Sequence, residues 1–476
     1  MNNVLYCGDN LKHLKTLETD SVDLVYIDPP FFSNKQYATI WGDGAEIRQF
    51  DDRWIKGESG KYSKDINKYL NWMEPRIKEI YRVLKPTGSF YLHCDDSAVH
   101  YLKMLCDDIF GMNRFVNQIQ WKRSNAKVSS TKYVDATDYI LLYSKNDTYT
   151  YNPQYTPLPE SIIQSNYTGI EEETGRRYRV APLENRGDKI SELNFPDRGT
   201  VKARDTFGFK WTQATLDERL AKNPHLIYWS KNGIANYKVY LDDHKGQSMT
   251  NIWTDINNVS SNSSERIGYP TQKPEALLER IIKTSSNEED IVLDCFGGGG
   301  TTMAVAQRLN RQFIGMEVSP TACRLQAERL GLNIQDIIGM PLEVEDIAKL
   351  DGWEFQNYVI HLLDAENKKN IKVHERGPDG GIDGRYYEVG IEVKKFKAGR
   401  PELDKFHSIM VMKGEKEGIF IALAFSADFR GKVALLKREH GIKVHCFTLE
   451  DIIKKKHVAT LVDIRSRSGI GKFFEN

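Results

Sequence analysis

The chain lacks the sequence features that mark disulfide frameworks, zinc sites and membrane spans. No CxxC pair occurs among its six cysteines, which are Cys7, Cys94, Cys106, Cys295, Cys323 and Cys446. Scattered cysteines of this kind are typical of buried thiols in a reducing cytosol. No run approaches the ~20 apolar residues that a membrane helix needs, and no charged-then-apolar leader opens the sequence. We therefore expect a soluble, cytoplasmic protein without membrane contact.

An excess of charge of one sign is also absent, because the chain carries 66 basic and 66 acidic residues. This balance does not exclude nucleic acid as a partner, since a duplex-binding enzyme needs only one basic face. Internal repeats and low-complexity tracts are missing, which excludes solenoid and linker-type architectures. At 476 residues the chain is longer than one hydrophobic core usually supports, so two or three domains are expected.

Three regions differ in their pattern of apolar residues. Residues 1–120 alternate strand-like and helix-like segments, and the same α/β pattern returns at 266–335. Between them, residues 121–265 are polar, rich in Tyr, Trp, Arg and Asn, and without sustained periodicity. A third α/β unit occupies residues 341–476. The sequence therefore predicts one doubly wound sheet interrupted by an inserted region, followed by a separate C-terminal α/β domain.

The most informative segment of the second α/β stretch joins a strand, a glycine loop and a helix. The apolar run 291–293 leads into Asp294-Cys295-Phe296, four glycines follow at 297–300, and a helix-like run begins at Thr301. Unblocked backbone N–H groups at such a helix start can approach a nucleotide-like group closely. A tight structural turn is the alternative for a glycine loop taken alone.

A second segment, far away in the sequence, has the same position at the end of a strand. The apolar run 22–27 leads into Asp28-Pro29-Pro30-Phe31. This order places a carboxylate, a backbone fixed by proline and an aromatic ring where open α/β sheets carry their chemistry. A turn after a buried strand is the alternative interpretation.

Together the two segments resemble the amino-methyltransferases of DNA, in the permuted (β-class) order of the N6-adenine/N4-cytosine family. The resemblance implies a Rossmann-like S-adenosylmethionine-dependent sheet and double-stranded DNA with the target base flipped out. It makes Asp28, Pro29, Pro30 and Phe31 catalytic: Asp28 and the Pro29 carbonyl grip the amine, and Phe31 stacks on the base. An aspartate at the first position favours adenine N6 over cytosine N4. A homodimer is compatible with this family.

The resemblance also assigns the S-adenosylmethionine site, where Cys295 and Gly299 replace the family's usual proline and serine. The implied cofactor-binding residues are Asp9, Lys273, Asp294, Phe296, Gly297, Gly298, Gly300, Thr301, Thr302 and Glu317. Among these, Asp9 faces the adenine ring and Glu317, roughly 20 residues after Asp294, faces the ribose. A dinucleotide oxidoreductase is the alternative for the loop, but it leaves the segment 28–31 unexplained.

The inserted region 121–265 occupies the place of a target-recognition domain in that family. Its candidate DNA contacts are Lys122, Arg123, Arg176, Arg177, Arg179, Arg198, Lys202 and Arg204, with Tyr178, Trp211, Tyr228 and Trp229 as candidate stackers. Arginine can read guanine bidentately, so the composition permits base readout. Solvated surface and phosphate contacts are the alternative roles for these side chains.

In the C-terminal domain a glycine-rich turn, residues 377–384, precedes a strand-like run. Glu392 and Lys394 are two apart on that run and leave the same face, and Asp383 in the turn can join them. The arrangement resembles the PD-(D/E)XK nucleases, in particular the Mrr-type restriction endonuclease domain. That resemblance makes Asp383, Glu392 and Lys394 catalytic and Glu354, Asp383 and Glu392 ligands of Mg²⁺.

The sequence thus predicts a site-specific DNA methyltransferase fused to a metal-dependent endonuclease of a restriction–modification system. Two other hypotheses remain at this point. The C-terminal domain can be an inactive DNA-binding module, or the whole chain can be a DNA-binding protein that has kept only the folds. The recognition sequence cannot be read from the residues.

Overall fold

The structure is a computed structural model that describes residues 3–31, 66–123, 133–260, 263–267, 271–363 and 382–467. Outside these ranges it gives the backbone of three short strands, β3, β4 and β21, whose bounds follow below. The chain divides into a main unit, Met1–Asn152 with Asn251–Asn476, and a second unit, Pro153–Thr250.

In chain order the strands are β1 (Val4–Cys7), β2 (Val22–Ile27), β3 (Gln36–Ala38), β4 (Gln49–Asp51), β5 (Leu84–Cys94), β6 (Phe115–Lys122), β7 (Thr137–Ser144), β8 (Tyr155–Thr156), β9 (Gly169–Ile170), β10 (Arg177–Pro182), β11 (Glu184–Arg186), β12 (Glu192–Phe195), β13 (Gly199–Lys202), β14 (Phe207–Phe209), β15 (Ile227–Trp229), β16 (Ala235–Tyr240), β17 (Gln247–Ser248), β18 (Ile252–Trp253), β19 (Ile291–Asp294), β20 (Gln312–Glu317), β21 (Ile371–Val373), β22 (Gly384–Tyr386), β23 (Val389–Ala398), β24 (Glu417–Phe425) and β25 (Lys443–Thr448). The α-helices are α1 (Asn10–Leu14), α2 (Ile66–Val83), α3 (Val99–Phe110), α4 (Glu160–Asn166), α5 (Gln213–Lys222), α6 (Glu275–Ser285), α7 (Thr301–Arg308), α8 (Pro320–Leu330), α9 (Val344–Ile347), α10 (Gly352–Leu363), α11 (Arg400–Met412), α12 (Ala427–His440), α13 (Leu449–Ile453) and α14 (Val458–Arg467). None of the helices in the described ranges is long and apolar enough to cross a membrane.

The main unit is organised around an eight-stranded sheet in the order β1-β20-β19-β2-β5-β7-β6-β18. The five strands from β1 to β5 in this order are parallel neighbours, so their carboxyl ends meet at one edge of the sheet. Strands β2 and β19 are adjacent, with Val292 paired to Leu24 and Leu293 to Val25. This pairing places the segments after the two strands side by side, although they lie far apart in the sequence.

Helices cover the sheet because their apolar residues recur at helical spacing. On α2 the buried positions include Tyr69, Met73, Ile77 and Ile80, and on α6 they include Leu277, Leu278 and Ile281. Residues three and four apart share one helix face, which packs on the sheet. Each large apolar side chain buried there contributes about 1.5–3 kcal/mol of transfer free energy. The doubly wound α/β fold predicted from the sequence is confirmed.

The C-terminal part of the main unit has a five-stranded sheet in the order β21-β22-β23-β24-β25. Helices α11 and α12 cover it with a core that includes Phe406, Met410 and Leu436. A larger apolar cluster runs without interruption from the eight-stranded sheet to this one and includes Val292, Tyr358 and Ile391. The Tyr358 hydroxyl also donates to the Pro341 carbonyl at 2.9 Å. The C-terminal domain that the sequence predicts is therefore packed on the first sheet through a shared core.

The second unit is smaller than the inserted region that the sequence predicts at 121–265. Strand β7 and the short strand β18 fall within that predicted region, yet both pair within the main sheet. The second unit itself has a four-stranded sheet in the order β15-β16-β10-β9 and several two-stranded ribbons. Its core includes Leu183, Leu193, Phe195, Phe209, Trp211 and Leu216.

Candidate active site

A cavity of about 630 Å³ opens at the edge where the parallel strands of the main sheet end. This volume lies within the range of small-molecule and cofactor sites. Residues that directly follow β1, β2, β19 and β20 line it: Gly8, Asp9, Asp28, Pro29, Pro30, Phe31, Cys295, Phe296, Gly297, Gly298, Gly299 and Val318. The two segments singled out in the sequence therefore share one site.

Asp28, a residue of the cavity wall, has one carboxylate oxygen without a partner. Its Oδ1 atom is buried and has no hydrogen-bond partner in the described part of the chain, whereas its Oδ2 atom forms an ion pair with Lys273. The Lys273 ammonium also lies 5.2 Å from the centroid of the Phe31 ring. A buried unpaired carboxylate oxygen is costly, which makes Asp28 a strong acceptor for a donor that enters the cavity.

Asp294 ties the glycine loop to the helix that follows it. Its Oδ1 atom accepts from the Phe296 amide at 2.9 Å, and its Oδ2 atom accepts from the Thr302 hydroxyl at 2.5 Å. Burial raises the pKa of Asp294 to about 7, and the negative charges of Asp28 and Glu317 act in the same direction. A cation bound beside this carboxylate would favour its ionised form.

The loop needs glycine where its backbone turns and where other atoms approach it. Gly300 has φ +79 at the N-terminus of α7, a conformation that residues other than glycine rarely adopt. A Cβ on Gly297 would lie 2.9 Å from the ends of both Met303 and Gln326. The Gly298 amide donates to Glu317 Oε2 at 2.9 Å, and the Gly298 carbonyl accepts from Gln326 at 2.8 Å. These contacts fix the loop without the family's proline and serine.

Helix α2 supplies two cavity residues that sequence reasoning missed, Trp72 and Arg76. Arg76 is buried, its guanidinium lies 3.8 Å from the Trp72 ring, and its Nε donates to Asn10 Oδ1 at 2.7 Å. Asn10 in turn donates to the Cys295 carbonyl at 2.8 Å. An arginine four residues after a tryptophan, among the apolar positions of a helix, was the signal available in the sequence.

The family assignment follows from a match that covers most of the chain. The DNA methylase family matches residues 22–329, which include both strand-end segments and the whole cavity wall from Asp28 to Glu317. This chain belongs to the DNA methylase family.

Several relatives of this chain are named as enzymes of bacterial restriction–modification or DNA methylation. The type II methyltransferase M.EcaI of Enterobacter cloacae is 28% identical over 76% of this chain and 80% of its own length. The type III restriction-modification enzyme StyLTI Mod subunit of Salmonella typhimurium is 29% identical over 65% of this chain. That match spans only 50% of the Mod subunit. The DNA adenine methyltransferase YhdJ of Escherichia coli is 28% identical over 72% of this chain and 85% of its own length.

In the second unit of the DNA methylase, several predicted DNA contacts have structural partners. Arg176 forms ion pairs with Asp242 and Asp243, and Arg204 forms one with Glu184. Trp211 is buried in the core of the unit, so the structure corrects its predicted role as a base stacker. Tyr228 is exposed. Arg177, Arg198 and Lys202 are also exposed.

The C-terminal sheet brings Asp383, Glu392 and Lys394 together. Lys394 forms an ion pair with Glu392, and its Nζ atom lies 3.9 Å from Asp383 Oδ2. Glu392 Oε2 is buried without a hydrogen-bond partner in the described ranges. Burial and the charge of Asp383 raise the pKa of Glu392 to about 7, although Lys394 opposes this shift. The restriction endonuclease family matches residues 347–443, which include this cluster.

Glu354 is not part of this cluster. Within the described residues no three His, Cys, Asp or Glu side chains are arranged to hold a metal ion, so the predicted set of three acids is not assembled. Glu354 instead exchanges hydrogen bonds with Asp351 at the start of α10, with its amide donating at 2.8 Å. Helix capping accounts for its position. The glycine turn at 377–381, on which the prediction also relied, lies outside the described residues.

Proposed function

We propose that this protein transfers the methyl group of S-adenosylmethionine to an exocyclic amine of a base flipped out of double-stranded DNA. Adenine N6 is the favoured acceptor, consistent with Asp at position 28 and with the similarity to YhdJ. The observation that carries the proposal is the free Oδ1 of Asp28 in a cavity that also contains the glycine loop. Acceptor and cofactor loop then line one cavity.

Asp28 and Pro29 would prepare the amine for attack. An exocyclic amine is a poor nucleophile because its lone pair is delocalised into the base. Asp28 Oδ1 and the Pro29 carbonyl are two acceptors that can hold both amine hydrogens and pull the nitrogen towards a tetrahedral form. The proline ring fixes the backbone that aims the carbonyl. Phe31 would stack on the base and hold its amine at this pair.

The glycine loop and its neighbours fit S-adenosylmethionine. Asp294 provides a carboxylate for the ligand's ammonium, and Glu317 provides a second beside the Gly298 amide. Asp9 caps α1 in the cavity wall, and we assign it to the adenine ring. When bound, S-adenosylmethionine supplies an activated methyl group on a sulfonium. Lys273 pairs with Asp28 Oδ2, which leaves Oδ1 for the amine.

Methyl transfer is tested with the full-length protein, methyl-labelled S-adenosylmethionine and plasmid from a host without DNA methylation. The wild type is expected to label the DNA, and Asp28→Asn is expected to lower the rate by about 100-fold or more because one acceptor becomes a donor. Cofactor affinity should stay unchanged. Asp23→Asn is the matched control, since Asp23 lies on the same strand and pairs with Lys85 outside the cavity. Labelling that survives Asp28→Asn would refute the catalytic assignment.

We further propose that the C-terminal domain cleaves DNA with Mg²⁺ held by Asp383 and Glu392. Glu392 has an unpaired Oε2 atom and a raised pKa, so a cation bound there would supply a partner for that oxygen and favour the ionised carboxylate. Lys394 lies beside both acids, where it can orient the attacking water. A DNA-binding module without cleavage is the alternative, and plasmid cleavage in Mg²⁺ decides between them.

For the second unit, Pro153–Thr250, we propose target recognition. Its exposed Arg177, Arg198 and Lys202 can contact phosphates or base edges, and Tyr228 can lie against a groove. Arg176 and Arg204 are held by acids and contribute to the fold of the unit.

A further inference from the structure

A line of polar side chains lies beside the catalytic segment, and neither the family motifs nor the mechanism above uses it. The Tyr26 hydroxyl and His93 Nδ1 are 2.8 Å apart, and His93 Nε2 lies 3.2 Å from Asp138 Oδ2. Asp138 Oδ1 then lies 2.9 Å from Arg123 Nε. Tyr26, His93 and Asp138 are buried.

The chemistry of the partners fixes which atom donates to Asp138. Burial acts to raise the pKa of Asp138, but the hydrogen bond from His93 and the nearby Lys273 and Arg123 lower it overall. A carboxylate only accepts, so His93 Nε2 donates to Asp138. His93 Nδ1 forms the second hydrogen bond, with the Tyr26 hydroxyl. Burial and the charge of Asp28 hold the pKa of Tyr26 well above its ordinary value, so this hydroxyl remains a donor.

With both nitrogens occupied, the His93 ring has a fixed orientation against two walls of the cavity. Its centroid lies 5.9 Å from that of Phe31 and 5.8 Å from that of Trp121, the latter edge-on at 85°. Phe31, Trp121 and Asp138 all line the cavity. Leu92, which precedes His93, is the register partner of Ile27, which precedes Asp28. His93 therefore fills the space between the catalytic segment and the wall built by β6 and β7.

We propose that His93, held by Tyr26 and Asp138, is a positioning residue for the target base. It packs between the Phe31 ring and Trp121 and holds Phe31 in place from the protein side, so that a flipped base stacking on the cavity side of Phe31 presents its amine to Asp28. This inference rests on the proposed methyl transfer. A purely structural role predicts lower stability in variants without a specific loss in the transfer step, which separates the two interpretations.

The sequence offers a matched pair of variants, Tyr26→Phe and Tyr91→Phe. Tyr26 and Tyr91 are register partners on β2 and β5, and both are 2% exposed. The Tyr91 hydroxyl also has one buried partner, Ser285 Oγ at 2.7 Å, but Tyr91 does not line the cavity. Each variant deletes one buried hydroxyl from the same sheet. Comparable losses of thermal stability are therefore expected from both.

The measurement is kcat and KM for methylation of unmethylated plasmid by the full-length protein, together with the Kd for S-adenosylmethionine from calorimetry. Tyr26→Phe is expected to lower kcat by about 10- to 100-fold with unchanged cofactor Kd, because a small misplacement of reacting groups has effects of that size. Tyr91→Phe should keep the wild-type kcat. His93→Gln, which retains a donor towards Asp138 but removes the ring, should lose kcat as Tyr26→Phe does.

Equal kcat values for wild type, Tyr26→Phe and His93→Gln would overturn the inference while leaving methyl transfer established. An equal fall in kcat for Tyr26→Phe and Tyr91→Phe would also overturn it, since both effects would then be structural. A wild type that binds S-adenosylmethionine and DNA but transfers no methyl group would remove the proposed function, and this inference with it.

Discussion

At the scale of single residues, Asp294 couples cofactor binding to protonation. Its folded pKa of about 7 lies above its ordinary value of 3.8 because the carboxyl is buried. The folded protein therefore keeps a proton that the unfolded chain has lost, and the free energy of unfolding falls as pH rises from about 4 to 7. A bound ammonium group favours the ionised form, so cofactor binding releases this proton. Affinity for S-adenosylmethionine should then rise with pH through 7.

Calorimetry at pH 6 and pH 8 checks this prediction. If only the ionised form binds well, the Kd for S-adenosylmethionine should fall by up to about tenfold over that interval. Asp294→Asn removes the titrating group, so its weaker binding should be independent of pH. A pH dependence that persists in this variant would assign the effect to another group.

The residue scale also shows the limit of motif reasoning. Asp28 and Asp294 could be identified because each is placed at the end of an apolar strand, and strand ends of one sheet converge. Arg76 could not be identified from a motif, because its contact with Asn10 depends on the fold that brings α2 beside that residue. Glu354 was assigned to a metal through family resemblance, whereas the structure shows its amide donating to Asp351, which caps the start of α10.

At the scale of elements, the glycine loop and α7 depend on a left-handed residue at position 300. Gly300 has φ +79, and Gly331 at the end of α8 has φ +67. Apart from its chain neighbours, no atom of the described residues lies within 4 Å of a Cβ placed on Gly331, whereas a Cβ on Gly300 would lie 3.0 Å from Gln326 Cγ. Gly331→Ala should lower the free energy of unfolding by about 1–2 kcal/mol through backbone strain, and Gly300→Ala by at least as much, because its contact with Gln326 adds to that strain. Only Gly300→Ala should also weaken S-adenosylmethionine binding, because it alone lies on the cofactor loop.

Thermal denaturation of the two variants measures the loss of stability from backbone strain, and calorimetry measures their affinity for S-adenosylmethionine. Equal cofactor affinity for both would show that the loop conformation is not needed for the ligand.

Element prediction succeeded for the strands that end at the site and failed at the far edge of the sheet. Strands β2 and β19 are apolar runs, and the sequence located both of them. Strand β7 is also a mostly buried apolar run, but the polar residues around it led to its inclusion in the predicted insertion, together with β18, which has only two residues. The pairing of β6 with β7, a tertiary contact, decides their structure.

At the scale of the whole molecule, two proposed chemistries share one chain, and substitutions should separate them. Asp383→Asn is expected to abolish cutting of plasmid in Mg²⁺ while labelling with methyl groups continues, because Asp383 lies in the C-terminal sheet outside the methyltransferase cavity. Asp28→Asn should do the reverse. Digestion of unmethylated and self-methylated plasmid, with and without S-adenosylmethionine, measures both activities and shows which methylation state is cut.

Glu388→Gln provides the control for the nuclease variant, since Glu388 is an exposed acid in the turn between β22 and β23. Cleavage that persists in Asp383→Asn, or none by the wild type on either plasmid, would leave a methyltransferase with a DNA-binding tail.

The apolar cluster that runs from Val292 through Tyr358 to Ile391 has a consequence for the survival of a host cell. If the proposed nuclease cuts unmethylated DNA, a nuclease that outlived its methyltransferase would attack the chromosome it normally leaves intact. Because the two parts share buried side chains, heat or damage that opens one removes support from the other. The fold thus gives the proposed cutting and protecting activities a common lifetime, without any separate regulator.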